Sequence, residues 1–233
     1  MKKLKKLKKL YVCIMALLTM TPLLQSCSDD EEVVYYPVHP TALVTVIPMG
    51  DSFVMQLDDS TRLIPVNLTS SPFGDKEVRA LVRYKESDAD GRNVLRHVEV
   101  NWIDSIRTKL PVADMGEKND SLYGSDPIEI VRDWVTVAED GYLTLRIRTR
   151  WGSRQPPHVL NVVSGANPDD PFELELRHNA NGDVAGPMGD ALIAFNLNDL
   201  AHTGGDNVTL KLSWKSFSGR KSTEFKLRLR PKE

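Results

Sequence analysis

The 233-residue chain carries 30 basic and 32 acidic residues, is 41% apolar and has two cysteines. Six of the basic residues stand within residues 1–9, so without residues 1–26 the balance is 24 basic against 32 acidic, a net charge of −8. Such an acidic chain lacks the cation surplus on which phosphate-dependent nucleic-acid binding rests, and Cys13 and Cys27 are too few for a cysteine metal site.

Residues 1–9 hold six lysines and no acid, and residues 10–28 carry no charge at all. Interrupted by Thr19, Thr21 and Pro22, that run is a poor candidate for a span of about 20 apolar residues and reads as an export signal. Leu24-Gln25-Ser26-Cys27 resembles a bacterial lipobox, although Gln25 stands where a small residue is usual. The resemblance implies a signal peptide over residues 1–26 and acylation of Cys27, which leaves the mature fold no thiol for catalysis or a disulfide. Each buried CH₂ contributes about 0.8 kcal/mol, so two or three acyl chains on Cys27 make a stable membrane tether. Ser28, Asp29, Asp30, Glu31 and Glu32 resemble the signal that sends lipoproteins to the cell surface in one phylum of Gram-negative gut bacteria; their charge alone implies only a solvated spacer. The expected location is the outer membrane, exposed at the cell surface.

Residues 27–40 form an acidic linker in which Pro37 and Pro40 bracket His39. Residues 41–108 then hold five short strands. The run 42–47 ends at a Pro48, Gly50 and Asp51 turn, 52–57 returns, and Asp58-Asp59-Ser60 leads into 61–66. In 76–85, Val78, Ala80, Val82 and Tyr84 share one face, while Glu77, Arg79, Leu81, Arg83 and Lys85 are expected mostly toward solvent. A long strand over 94–106 contains His97 and Trp102. Five strands joined by tight turns suggest an OB-like barrel, with half of a sandwich equally compatible with the periodicity.

Residues 53–59 running into 63–67, with 78–82 and 98–101, resemble the N-terminal OB-type domain of the NigD-like lipoproteins. That family takes its name from a bacteriocin operon, and the resemblance supplies no catalytic motif. Residues 109–126, rich in Pro, Gly, Asn and Asp, read as an inter-domain linker. Residues 127–233 carry some seven strands, over 128–138, 142–151, 158–163, 172–177, 192–197, 208–214 and 225–229, which suggest an immunoglobulin-like antiparallel β-sandwich. Residues 174–179, 182–183 and 194–197 resemble the C-terminal sandwich domain of the same family. The expected whole is all-β, a small five-stranded barrel followed by a sandwich.

The five histidines lack zinc-ligand spacing; His158 and His178 can meet on neighbouring strands, where a hydrogen-bonded pair is the plainer expectation. Residues 179–183 echo a calcium loop but lack its closing Glu, so Asn181-Gly182 reads as a turn. No metal and no cofactor are expected. No Gly-x-Ser-x-Gly motif is present. Two carboxylates facing each other about 5–10 Å apart in a cleft would mark a glycan hydrolase, the rival to a binding or structural role. Ser60, Ser105 and Ser121 each follow an Asp in a pattern that resembles an O-glycan acceptor of exported proteins, with Ser121 the most accessible and Ser105 beside a strand. Finally, Arg146, Arg148 and Arg150 alternate with apolar residues, as do Lys226, Arg228 and Arg230. Such rows imply either pairing with Glu173 and Glu175 or a cationic face that grips an anionic envelope polymer. An envelope glycan or a protein is therefore the expected partner, together with the membrane itself through Cys27.

Overall fold

The computed structural model describes residues 41–87, 94–152, 156–200 and 207–230. Cys27, residues 28–32, His39 and His202 lie outside the described residues. Among the described residues, no helix is long and apolar enough to cross a membrane.

Five strands, β1 (Thr41–Met49), β2 (Ser52–Gln56), β3 (Arg62–Pro65), β4 (Val78–Glu86) and β5 (Leu95–Ser105), close into a barrel in the order β1-β2-β3-β5-β4. Period-two alternation fills its interior with Val44, Val46, Phe53, Met55, Leu63, Val82 and Val98, all essentially removed from water. Tyr84 joins them, as its parity requires. A register shift between Arg83 and Tyr84 bends β4 against β5 and sets Arg83 opposite Trp102.

The expected linker 109–126 is instead built into the second half of the molecule. Its chain supplies β6 (Thr108–Lys109) and β7 (Val112–Ala113), one for each sheet of the sandwich, and then a short helix, α1 (Asn119–Tyr123). Turn-rich composition marked a boundary, but two-residue strands leave no alternation to read. The remaining strands are β8 (Glu129–Val131), β9 (Val137–Glu139), β10 (Tyr142–Arg150), β11 (Val159–Ser164), β12 (Glu173–Asn179), β13 (Met188–Asn196), β14 (Val208–Ser216) and β15 (Gly219–Leu227). One sheet runs β6-β13-β10-β8 with β9 also on β10, and the other β15-β14-β12-β11-β7. Leu143, Leu145, Ile147, Leu174, Leu176, Phe195, Leu210 and Leu212 interleave as the core between them.

Three departures from the expected sandwich have physical causes. Its pairing is not wholly antiparallel, because β13 crosses to the opposite sheet between β12 and β14, leaving β14 parallel to β12. The run 128–138 is two strands, parted where Thr136 bonds back to Val131 O and Trp134 turns outward. And β15 begins six residues before Phe225, because a polar edge strand pairs through its backbone without needing apolar side chains.

Arg79 overturns its solvent-facing expectation: it is 0% exposed. The outer face of β1 and β4 is covered by the sandwich, through an apolar contact of Leu43 and Ile106 with Ala194, flanked by Leu81, Val137 and Leu192. Within that contact Arg79 donates to Thr45 Oγ1 at 2.9 Å, Thr144 Oγ1 at 3.4 Å and Glu139 Oε2 at 3.3 Å. Burial lowers the Arg79 pKa, and Glu139 and Asp140 work against that shift. Guanidinium remains charged in such a setting.

A neutralised arginine patch beside an exposed tryptophan

The candidate site lies on the outer face of the first sheet. Arg146 and Arg148 both point there from β10, since their parity is opposite to that of the buried Leu145 and Ile147. Directly across the ladder from Arg148 stands Asp190 of β13. Asp190 Oδ1 accepts from Arg148 Nε at 2.5 Å, and Oδ2 accepts from Arg148 Nη2 at 2.9 Å and from Arg146 Nε at 2.8 Å. The hydrogen bonds from Arg148, then those from Arg146, hold the Asp190 carboxyl at about 2 against partial burial. Asp133 closes the group, paired with Arg146 Nη1 and accepting the Trp134 N–H at 2.6 Å. Two guanidiniums thus face two carboxylates, and the patch has no net charge. Trp134, 54% exposed, lies on its rim, over a shallow cavity of about 270 Å³ shared with Asp133, Arg146 and Asp190.

This corrects the cationic-face expectation. Arg146 and Arg148 are paired, but not with Glu173 and Glu175, which belong to the other sheet, on β12. There Glu175 is taken by Arg177 and Arg220, and Glu173 accepts from Asn167 at 3.0 Å. Arg150 donates to Gly186 O at 3.2 Å. Lys226, on β15 of the second sheet, and Arg228, just beyond the end of that strand, are exposed and stand apart from β10 of the first sheet. Arg230 is only partly exposed, with 28% of its side-chain surface in water. It donates to both Glu77 oxygens at 2.9 Å and to Asp140 Oδ1 at 2.6 Å, which ties the chain's end to the seam between barrel and sandwich. Tyr142 donates to Glu77 in the same cluster and lies 5.6 Å from the Arg230 guanidinium. Burial and the neighbouring Glu77 keep its phenol protonated well beyond the usual range.

What the sequence missed is Trp134 with Asp133 and Asp190. An indole set among Arg132, Asp133 and Thr136 was a readable signal of an exposed aromatic, whereas the Asp190 contact depends on register. His158 and His178 do meet: His158 Nδ1 lies 2.9 Å from His178 Nε2, and Trp151 stacks on His158 at 4.2 Å between ring centroids. Asp183 lies 3.3 Å from His158 Nε2. No group of three or more acidic, histidine or cysteine residues among the described ones is arranged to hold a metal. Asn181 and Gly182 both have positive φ, as a tight turn requires. Of the hydroxyls, Ser60 and Ser121 are exposed, with Ser60 bonded to Asp58 at 3.0 Å and Ser121 to Lys118 O at 2.9 Å; Ser105, at the end of β5, is exposed too.

Comparison with known proteins bears on both halves. A family model described as the NigD-like N-terminal OB domain matches residues 43–106, and one described as the NigD-like C-terminal beta sandwich domain matches residues 111–227. A solved structure described as a toxin-related protein from Parabacteroides distasonis is 33% identical, with a TM-score of 0.67 over 81% of this chain and 93% of that one. A NigD-like immunity protein from Bacteroides caccae is 20% identical, with a TM-score of 0.58 over 81% and 93%. A protein described as a lipoprotein from Bacteroides fragilis is 13% identical, with a TM-score of 0.55 over 84% and 100%. At those last two identities the likeness is one of fold. No curated protein matches the chain.

Proposed function

The chain belongs to the NigD-like family, and from that premise we propose that it is a non-catalytic binding protein of the cell envelope, tethered by a lipid on Cys27 and displayed at the cell surface. The observation that carries the binding role is Trp134 on the rim of the Arg146, Arg148, Asp133 and Asp190 group. A half-exposed indole offers a large rigid apolar face at little entropic cost, and Trp is the residue type most often decisive in binding. The charged group beside it is neutralised and held in place, so it presents directed donors and acceptors without a net field. That combination suits a neutral or weakly charged surface, such as a glycan whose ring face stacks on the indole, or a protein loop. It does not suit a polyanion.

Two variants in cells test both halves. Cys27→Ala should leave the protein unprocessed or free of the membrane, and protease added to intact cells should degrade the wild type. Trp134→Ala should keep the fold and the location but lose capture of envelope material by about 2 kcal/mol or more, roughly thirtyfold, as a hot-spot truncation does. Protection of the wild type from external protease would refute surface display. Equal capture by wild type and Trp134→Ala would refute the patch.

A further inference from the structure

The sandwich is incompletely closed on the side where the chain leaves the barrel. There β6 covers the edge of β13 only at Ala194 and Phe195, and β7 covers β11 only at Val163 and Ser164. Beyond these short caps lies a pocket of about 570 Å³, whose lining takes in Ala191, Leu192 and Ile193 in succession, and so the edge of β13 as well as its inner face. Ile147 and Leu160 of the core reach it from the two sheets, and the stacked Trp151 and His158 rings form part of its wall. Its size falls within the range of small-molecule sites, which are mostly apolar with a few placed polar groups.

Among the described residues, one permanently charged side chain lines the pocket, Arg107. Arg79, Arg146, Arg148, Arg177 and Arg230 each have a carboxylate within 4 Å, but among the described residues no ion pair or side-chain hydrogen bond engages the Arg107 guanidinium. Two residues on, Lys109 adds a second cation without an acid. Its Nζ donates to Leu160 O at 2.6 Å and Asn161 Oδ1 at 2.5 Å, both neutral oxygens. Burial, and then the neighbouring Arg107, push the Lys109 pKa down. Of the acids beside the pocket's lining, Asp183 accepts the Gly152 N–H at 2.8 Å and lies 3.3 Å from His158 Nε2, and Asp190 is held by Arg146 and Arg148. Leaving adjacent cations uncompensated at the rim of an apolar pocket creates a local positive potential in a protein whose net charge is negative.

We propose that this pocket binds a single-chain amphipathic carboxylate, with its alkyl body among Ile147, Leu160, Ala191 and Ile193 and its head group on Arg107. A guanidinium fork receives a carboxylate bidentately, and the alkyl chain gains by leaving water. This site adjoins the Trp134 cavity, with which it shares Ala191 and Leu192, but it uses neither Trp134 nor the Arg146 and Arg148 group and does not require surface display.

The probe is radiolabelled laurate, held below its micellar concentration, in equilibrium dialysis against the full chain carrying Cys27→Ser, which removes competing acyl groups. One saturable site is expected. Arg107→Glu, at an exposed position, should weaken it at least tenfold with the melting temperature unchanged. Ala191→Phe should fill the pocket and abolish it, with melting measured alongside. Dodecyltrimethylammonium should fail to compete, and butyrate should compete far more weakly than laurate. Equal affinity in wild type and Arg107→Glu overturns the proposal, as does competition by the cationic amphiphile or by butyrate at laurate's concentrations. The assay is done in solution, so its failure leaves the envelope reading standing, and failure of the whole-cell tests leaves this one standing.

Discussion

His178 is 1% exposed, with Nδ1 3.3 Å from Pro127 O and Nε2 facing His158. The simplest hydrogen-bond assignment makes it neutral, its Nδ1–H donating to the carbonyl and its Nε2 accepting from His158. Burial first, and His158 second, lower its pKa from the ordinary 6.5. The unfolded chain therefore takes up a proton below about 6.5 that the folded chain refuses, and stability should be present above that pH and drain away as the pH falls through it. Melting temperature measured from pH 7 to pH 5 should decline, and His178→Gln should flatten part of that decline. An unchanged slope in the variant would place the pH sensitivity in other groups.

At the level of elements, the sharpest constraint is the two-residue hairpin that joins β9 to β10. Glu139 pairs with Tyr142, and Asp140 and Gly141 between them have φ of 52° and 74°. Positive φ at both positions is the type I′ geometry that matches strand twist, and Asp-Gly is a sequence that adopts it. A Cβ on Gly141 would stand 1.9 Å from Asn198 Oδ1, the oxygen that accepts the Arg230 N–H at 3.0 Å. Gly182, with φ of 86°, has no atom within 4 Å of such a Cβ. Gly182→Ala should therefore cost about 1 kcal/mol of backbone strain, and Gly141→Ala about 2 kcal/mol or more because a hydrogen-bonded amide must also move. Urea denaturation of the two variants gives the comparison; equal losses would mean that the Asn198 contact yields freely.

At the scale of the whole molecule, barrel and sandwich share a seam whose polar groups satisfy one another. Arg79 is bonded from the barrel to Thr144 and Glu139 of the sandwich, and Glu77 of the barrel is bonded to Arg230. Removing one partner of a buried ionic group leaves the other unpaired, at a cost of roughly 3–5 kcal/mol. Glu139 keeps 35% of its side-chain surface in water, which places the loss for Arg79→Ala toward the lower figure. Calorimetry should show one unfolding transition for the wild type, and two, with the first earlier, for Arg79→Ala. A single transition with little loss would mean that the apolar contact around Ala194 suffices to couple the halves.

Alternation along β4 was enough to put Val78, Ala80, Val82 and Tyr84 on one buried face, because period two reports which side of a strand a residue takes, although it left barrel and half-sandwich equally open. The Asn181-Gly182 turn was legible for a similar reason, since positive φ is a property of adjacent residues. The same alternation could not say what stands opposite the outer side. Arg79 reads as solvated until a second domain covers it, and Arg146 and Arg148 read as either paired with Glu173 and Glu175 or free until β13 is brought alongside β10 and sets Asp190 against them. Local pattern determined most of the longer strands, the buried face of β4 and the tight turns. Which charges are paired, which are buried and which are left open was decided only in the tertiary structure, because ion pairs join residues some 40 positions apart and the chain order carries no record of strand register.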